Sequence, residues 1–100
     1  MRYQAPTGTY DILPEDQAYW RFIREKTRET CSLYGYEQLD VPIFESTSLY
    51  ARNVGDSTDI VEKQMYSFDD RSGDSMTLRP EFTAGLVRSY VENKLYGRPK

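Results

Sequence analysis

Glu81 and Thr83, just downstream of Pro80, are the side chains in this 100-residue chain whose types and spacing best suit chemistry. They follow an extended run, Ser75 to Arg79, and open what the apolar spacing predicts to be a helix from about Glu81 to Tyr96. Pro80 suits the first turn of such a helix, where a missing N–H costs nothing. Glu81 and Thr83 then stand at the positive end of the helix dipole, beside amides that have no partner within the helix. A carboxylate and a hydroxyl fixed at the carboxyl end of a strand could grip the ammonium group of an amino acid. The same residues also make an ordinary capped helix start with an acid in its first turn.

The elements that must hold these residues are legible from periodicity and punctuation. Residues 1–13 read as an extended arm ending at Asp11-Ile12-Leu13-Pro14. A helix is predicted from about Glu15 to Tyr34, with acids in its first turn and Gly35 as its stop. Tyr19, Phe22, Ile23, Thr30, Leu33 and Tyr34 form its expected apolar stripe. Glu25 and Glu29 repel each other, as do Arg24 and Arg28, so this helix depends on packing rather than on its surface charges. Tyr36 to Phe44 alternates as a strand until Pro42, which removes a ladder donor. Glu45 to Asn53 reads as a short helix opened by Ser46 or Thr47, with Leu49 and Tyr50 inward. Val54 to Ser57 reads as a loop, and Asp59 to Lys63 fits either a strand or a helix. Gln64–Phe68 and Ser75–Arg79 flank the polar stretch Asp69–Asp74 as a hairpin. In the final helix, Leu86, Val87, Tyr90, Val91, Lys94 and Leu95 describe the expected inward stripe. Two or three helices with antiparallel strands between them make an α+β fold, and no glycine-rich βαβ unit favours a doubly wound one.

Bulk properties narrow the function. A net charge of -3 spreads 13 basic residues among 16 acids, with no basic stripe of the kind that grips phosphates. The sequence pI of about 4.9 and mean hydropathy of -0.76 fit a soluble domain, and no apolar run is long enough to cross a bilayer. One cysteine, Cys31, and no histidine leave too few ligands for structural zinc and predict a reducing, cytoplasmic setting. Asp69, Asp70 and Asp74 lie near Gly73 but lack the spacing of a calcium loop, so they read as a solvated hairpin tip. The nine tyrosines and four phenylalanines fall mostly beside Leu, Ile and Val, which favours core and interface packing over base stacking.

Four blocks in register carry a family resemblance. They are Gly8-Thr9-Tyr10-Asp11-Ile12-Leu13-Pro14, the run Gly35–Glu45, Val54-Gly55-Asp56-Ser57-Thr58-Asp59-Ile60-Val61, and Thr77–Gly85. In this order the chain resembles the N-terminal part of the histidyl-tRNA synthetases, which are class II aminoacyl-tRNA synthetases. The resemblance implies part of their catalytic core, an antiparallel sheet flanked by helices, over residues 1–100. It implies that Glu81 takes the α-ammonium group of histidine, that Thr83 adds a hydroxyl contact, and that Phe82 lies at the site. Phe82 departs from the family's usual Leu-Arg-Pro-Glu-Gly-Thr, where a glycine stands. Arg79 has no catalytic role in this reading and is expected to be structural, bridging to an acid such as Glu45. The predicted first helix followed by Tyr36, Val41 and Pro42 is similar to the first class II motif, which implies a homodimer interface at those residues.

The activity implied is activation of histidine with Mg2+-ATP to an adenylate and its transfer to tRNA. The second and third class II motifs, which supply the ATP-binding arginines, and the anticodon-binding domain are not found in these 100 residues. The chain is therefore expected to be an N-terminal fragment, inactive alone, with tRNA contacts mostly elsewhere. The alternative is the histidine-binding regulatory subunit of ATP phosphoribosyltransferase, a synthetase paralogue without aminoacylation. A third reading, a dimerisation module with no small ligand, predicts that Glu81→Ala leaves histidine affinity unchanged.

Overall fold

A computed structural model describes residues 2–54 and 64–99, for residues 52–54 as backbone only. The fold is α+β, and its contacts divide it into two compact units between Gln38 and Leu39. The expected loop at Val54–Ser57, the Asp59–Lys63 segment and the block Val54–Val61 lie essentially outside the described residues.

In the first unit a 3-10 turn at Pro14–Asp16 leads into helix α1, Gln17–Leu33. Gly35, at φ +80°, ends α1 as its sequence predicts. Tyr36 N–H donates to Cys31 O at 2.9 Å and Gly35 N–H to Ser32 O at 3.1 Å, the paired bonds that close a helix over a left-handed glycine. A side chain at Gly35 meets no atom, so the cost of adding one lies in the backbone conformation. Gly35→Ala is expected to destabilise the protein by about 1 kcal/mol, read as a lower denaturation midpoint with an unchanged slope.

The inward stripe of α1 differs from the one its sequence suggests. Tyr19, Phe22, Ile23, Leu33 and Tyr34 are exposed, and the half-buried side is that of Gln17, Trp20 and Cys31. Trp20, Ile23, Thr27, Cys31 and Tyr36 line an open groove of about 710 Å³. Periodicity finds an apolar arc but not which part of a wide arc is covered.

The second unit carries the sheet. Strands β1 (Phe44–Ser46), β2 (Ser67–Asp69) and β3 (Ser75–Leu78) are antiparallel in the order β1-β3-β2, so β3 is central. The strand expected over Tyr36–Phe44 is corrected: residues 36–43 are not strand, and pairing begins at Phe44, two residues past the donorless Pro42. Register places Phe44 opposite Leu78 and Glu45 opposite Thr77. Ser67 also faces Thr77, and Phe68 faces Met76. One sheet face therefore holds Glu45, Thr77 and Ser67, and the other holds Phe44, Phe68, Met76 and Leu78. On that second face the Phe44 and Phe68 rings meet edge to face, with centroids 5.6 Å apart.

The β2–β3 hairpin closes on Asp70. Its Oδ1 accepts the amides of Ser72 and Asp74, both at 2.9 Å, while Gly73 turns at φ +87°. These amides, that of Asp74 first, hold the Asp70 carboxyl below the usual aspartate range. A carboxyl depressed in the folded state contributes order above its unfolded value and loses it as pH falls through the folded one. An NMR titration is expected to show Asp70 ionising below the ordinary range, with the tip amides shifting at the same midpoint. Asp70→Asn removes that step.

Helix α2 (Thr47–Val54) and helix α3 (Thr83–Glu92) complete the unit, and a 3-10 turn follows at Leu95–Gly97. α2 packs on β1, β3 and α3. The small core holds Tyr50, Thr77, Ala84, Gly85 and Ser89. Of the nine tyrosines Tyr50 is the buried one, so the others do not pack in the core of the described residues. The expected stripe of α3 is corrected too, since Leu86, Val87, Tyr90 and Val91 are exposed. The buried face is the small-residue side, where a Cβ on Gly85 would come within 3.2 Å of Glu45 Oε2 and 3.4 Å of Val41 Cγ2.

Candidate functional site

The central strand β3 delivers the chain to Glu81. Arg79 extends its pairing by one bond, N–H to Ile43 O at 2.8 Å, and then Pro80 ends the ladder. The helix starts at Thr83, so Pro80 and Glu81 precede its first turn rather than occupy it. The reason is the Glu81 side chain itself. Its Oε2 accepts Thr83 N–H at 2.6 Å, and its Oε1 accepts Ala84 N–H at 3.0 Å. Glu81 thereby caps α3 from outside, satisfying two amides that the helix leaves open.

This is the capped helix start, and it is also what fixes the carboxylate. Both oxygens are tied to backbone, the residue is exposed, and no ion pair to Glu81 occurs among the described residues. The Ala84 amide also reaches Oε2, at 3.4 Å, and since a carboxylate accepts at about four lone-pair sites, acceptor capacity remains after the amides are served. Thr83 is exposed beside it. Phe82, 61% exposed, does not enter the core; the Arg79 guanidinium lies 4.7 Å from its ring centroid.

Arg79 does not bridge to Glu45. Its Nη1 donates to the carbonyls of Val41 at 3.1 Å and Pro42 at 3.4 Å, locking the segment before β1 to the end of β3. Glu45 is taken instead by Arg88 of α3: Nε donates to Oε1 at 3.0 Å and Nη2 to Oε2 at 2.8 Å. Arg88 also reaches Glu92 at 2.9 Å. The Glu45 hydrogen bonds are the main cause that raises the Arg88 pKa, so the fork stays charged.

Beneath the site lies a chain of hydroxyls. Thr77, fully buried, donates to Thr47 Oγ1 at 2.8 Å, and Ser67 lies 2.7 Å from Thr77. Thr77 has one proton and spends it on Thr47, so Ser67 must be the donor to Thr77. Thr47 and Ser75 are joined at 2.7 Å. The network clamps α2 to the hairpin. Tyr50, on α2, has its phenol pKa raised by burial first and then by Glu45 and Glu81, against the opposing Arg79 and Arg88.

Glu81, Phe82 and Thr83 thus form one exposed cluster at the start of α3. Val41 and Pro42 are tied to it through Arg79, whereas Tyr36, 70% exposed, belongs to the first unit. Sequence reasoning missed Arg88; it read Tyr50 as inward and Thr47 as a helix opener but assigned neither to the site. The signal for Arg88 was its spacing of four from Glu92, but its main partner is 43 residues away.

The histidyl-tRNA synthetase family model matches residues 8–99. A histidine–tRNA ligase of Anoxybacillus flavithermus is 58% identical over 99 residues, which are 99% of this chain and 23% of that protein. One from Shouchella clausii is 56% identical with the same coverage. The chain thus spans about a quarter of the length of these relatives. Apo histidyl-tRNA synthetase of S. aureus superposes with a TM-score of 0.82 at 44% identity, over 99% of this chain and 23% of that one. An ATP phosphoribosyltransferase regulatory subunit/histidyl-tRNA synthetase of Bacillus halodurans follows at 0.73 and 25% identity, covering 99% and 25%. A match of this extent, over nearly every residue, shows that the chain belongs to the histidyl-tRNA synthetase family.

Proposed function

We propose that the polypeptide carrying this chain is a histidine–tRNA ligase, with residues 1–100 forming the N-terminal portion of its catalytic domain. The observation that carries the reading is the Glu81 carboxylate, held by the Thr83 and Ala84 amides with acceptor capacity left for an ammonium group. Histidine docks by its α-ammonium group on Glu81, with the Thr83 hydroxyl as a second contact and Phe82, stacked on Arg79, beside it. Its carboxylate then attacks the α-phosphorus of ATP in line and pyrophosphate leaves; the tRNA terminal hydroxyl then attacks the adenylate's carbonyl, forming the histidyl ester and releasing AMP. Positioning and charge neutralisation supply most of this rate enhancement.

ATP enters as its Mg2+ complex, a substrate, and none of the described residues is assigned to it. tRNA is gripped mostly by other parts of the protein, in keeping with the net charge of -3 here. Tyr36, Val41 and Pro42 belong to a homodimer interface, and the exposed apolar side of α1 supports a surface that another surface covers. No described helix is long and apolar enough to cross a membrane. A cytoplasmic site of action fits an enzyme of protein synthesis.

Histidine-dependent ATP–pyrophosphate exchange by the complete polypeptide tests the reading. Exchange is the expected result. Histidine binding without exchange would favour the regulatory paralogue, whose name the Bacillus halodurans structure also bears.

A further inference from the structure

Tyr50 is the large side chain most fully enclosed in the second unit, 2% exposed, and its hydroxyl has no hydrogen-bond partner among the described residues. A buried hydroxyl left in that state costs stability, and phenylalanine would fill the same space without the cost. The placement is specific. α2 packs on β1, which bears Glu45, on β3, and on α3, which Glu81 caps. The phenol senses both carboxylates. It stays protonated and so remains a donor.

The two carboxylates are not equivalent. Both oxygens of Glu45 are occupied by the Arg88 fork, and its charge is matched there. Glu81 has amide partners, no ion pair among the described residues, and spare acceptor sites. It is also exposed, and the amides that hold its two oxygens in place leave acceptor capacity on them.

We infer that Tyr50 is a positioning residue for Glu81, its buried hydroxyl donating to the Glu81 carboxylate while that carboxylate holds the ammonium group of an amino acid. The inference rests on the reading of Glu81 as the ammonium anchor. It makes the orphaned hydroxyl a stability cost that is recovered only when the site is filled.

The test is Tyr50→Phe in the complete polypeptide, assayed by histidine-dependent ATP–pyrophosphate exchange and thermal melting. The KM for histidine is expected to rise roughly tenfold, as for loss of a hydrogen bond to a charged group. The KM for ATP stays unchanged and the melting temperature does not fall. In a Glu81→Gln background the added effect of Tyr50→Phe on histidine shrinks towards nothing. An unchanged histidine KM, with wild-type exchange intact, overturns this inference alone. So does a rise in both KM values accompanied by lower melting, which marks a packing role. Wild-type protein that neither exchanges nor binds histidine overturns the reading of Glu81 itself, and the inference with it.

Discussion

Glu81→Gln in the complete polypeptide is expected to weaken histidine binding roughly a hundredfold, the effect of removing one member of a charged hydrogen-bonded pair. Glutamine keeps one acceptor oxygen, so it retains one of the two amide bonds at Thr83 and Ala84. Glu81→Ala loses both, and should cost about 1 kcal/mol more stability, the usual size of a lost cap. Histidine affinity should fall about equally in the two variants. Calorimetric titration with histidine and denaturant unfolding, run on both, separate the anchoring of the ligand from the capping of α3. A large stability loss with unaltered affinity would reduce Glu81 to a cap.

Arg88→Ala should strongly destabilise the second unit. It strands Glu45, whose side chain is only 10% exposed, with neither oxygen paired. Breaking a largely buried pair from one side costs about 3 kcal/mol, because the remaining charge stays desolvated. Removing both partners together, as Arg88→Met with Glu45→Leu, should recover most of that loss. Chemical denaturation of the three proteins checks the ordering. A loss below about 1 kcal/mol for Arg88→Ala would place the pair among ordinary surface ion pairs.

The elements were more legible than their faces. Gly35 and the hairpin tip were readable because a left-handed glycine and an aspartate bound to nearby amides are local devices, fixed by a few adjacent residues. The strand at Tyr36–Phe44 was misplaced because alternation says nothing about where a partner strand begins; β3 pairs only from Phe44 onward. The face of α3 was misread for a related reason. Leu86, Val87 and Tyr90 dominate any hydrophobic count, yet the close approach of β1 selects the Gly85 side, where a Cβ would already press on Glu45.

At the site, Glu81, Phe82 and Thr83 were legible as a strand-to-helix junction bearing an acid and a hydroxyl. What surrounds them was not. Arg88 to Glu45, Thr77 to Thr47 and Arg79 to Val41 join residues 30 to 43 positions apart, and nothing in local spacing pairs them. The exchange of partners expected for Arg79 has a simple cause. Its guanidinium meets two bare carbonyls at Val41 and Pro42, while the Arg88 fork already matches both oxygens of Glu45.

The central claim is that the fixed Glu81 carboxylate holds the α-ammonium group of histidine. Its most direct test is a calorimetric cycle using the complete polypeptide and Glu81→Gln, each titrated with histidine and with the analogue that lacks the amino group. The account predicts that the substitution weakens histidine roughly a hundredfold and leaves the deamino analogue's affinity unchanged. Equal losses for both ligands, or no loss for histidine, would contradict it.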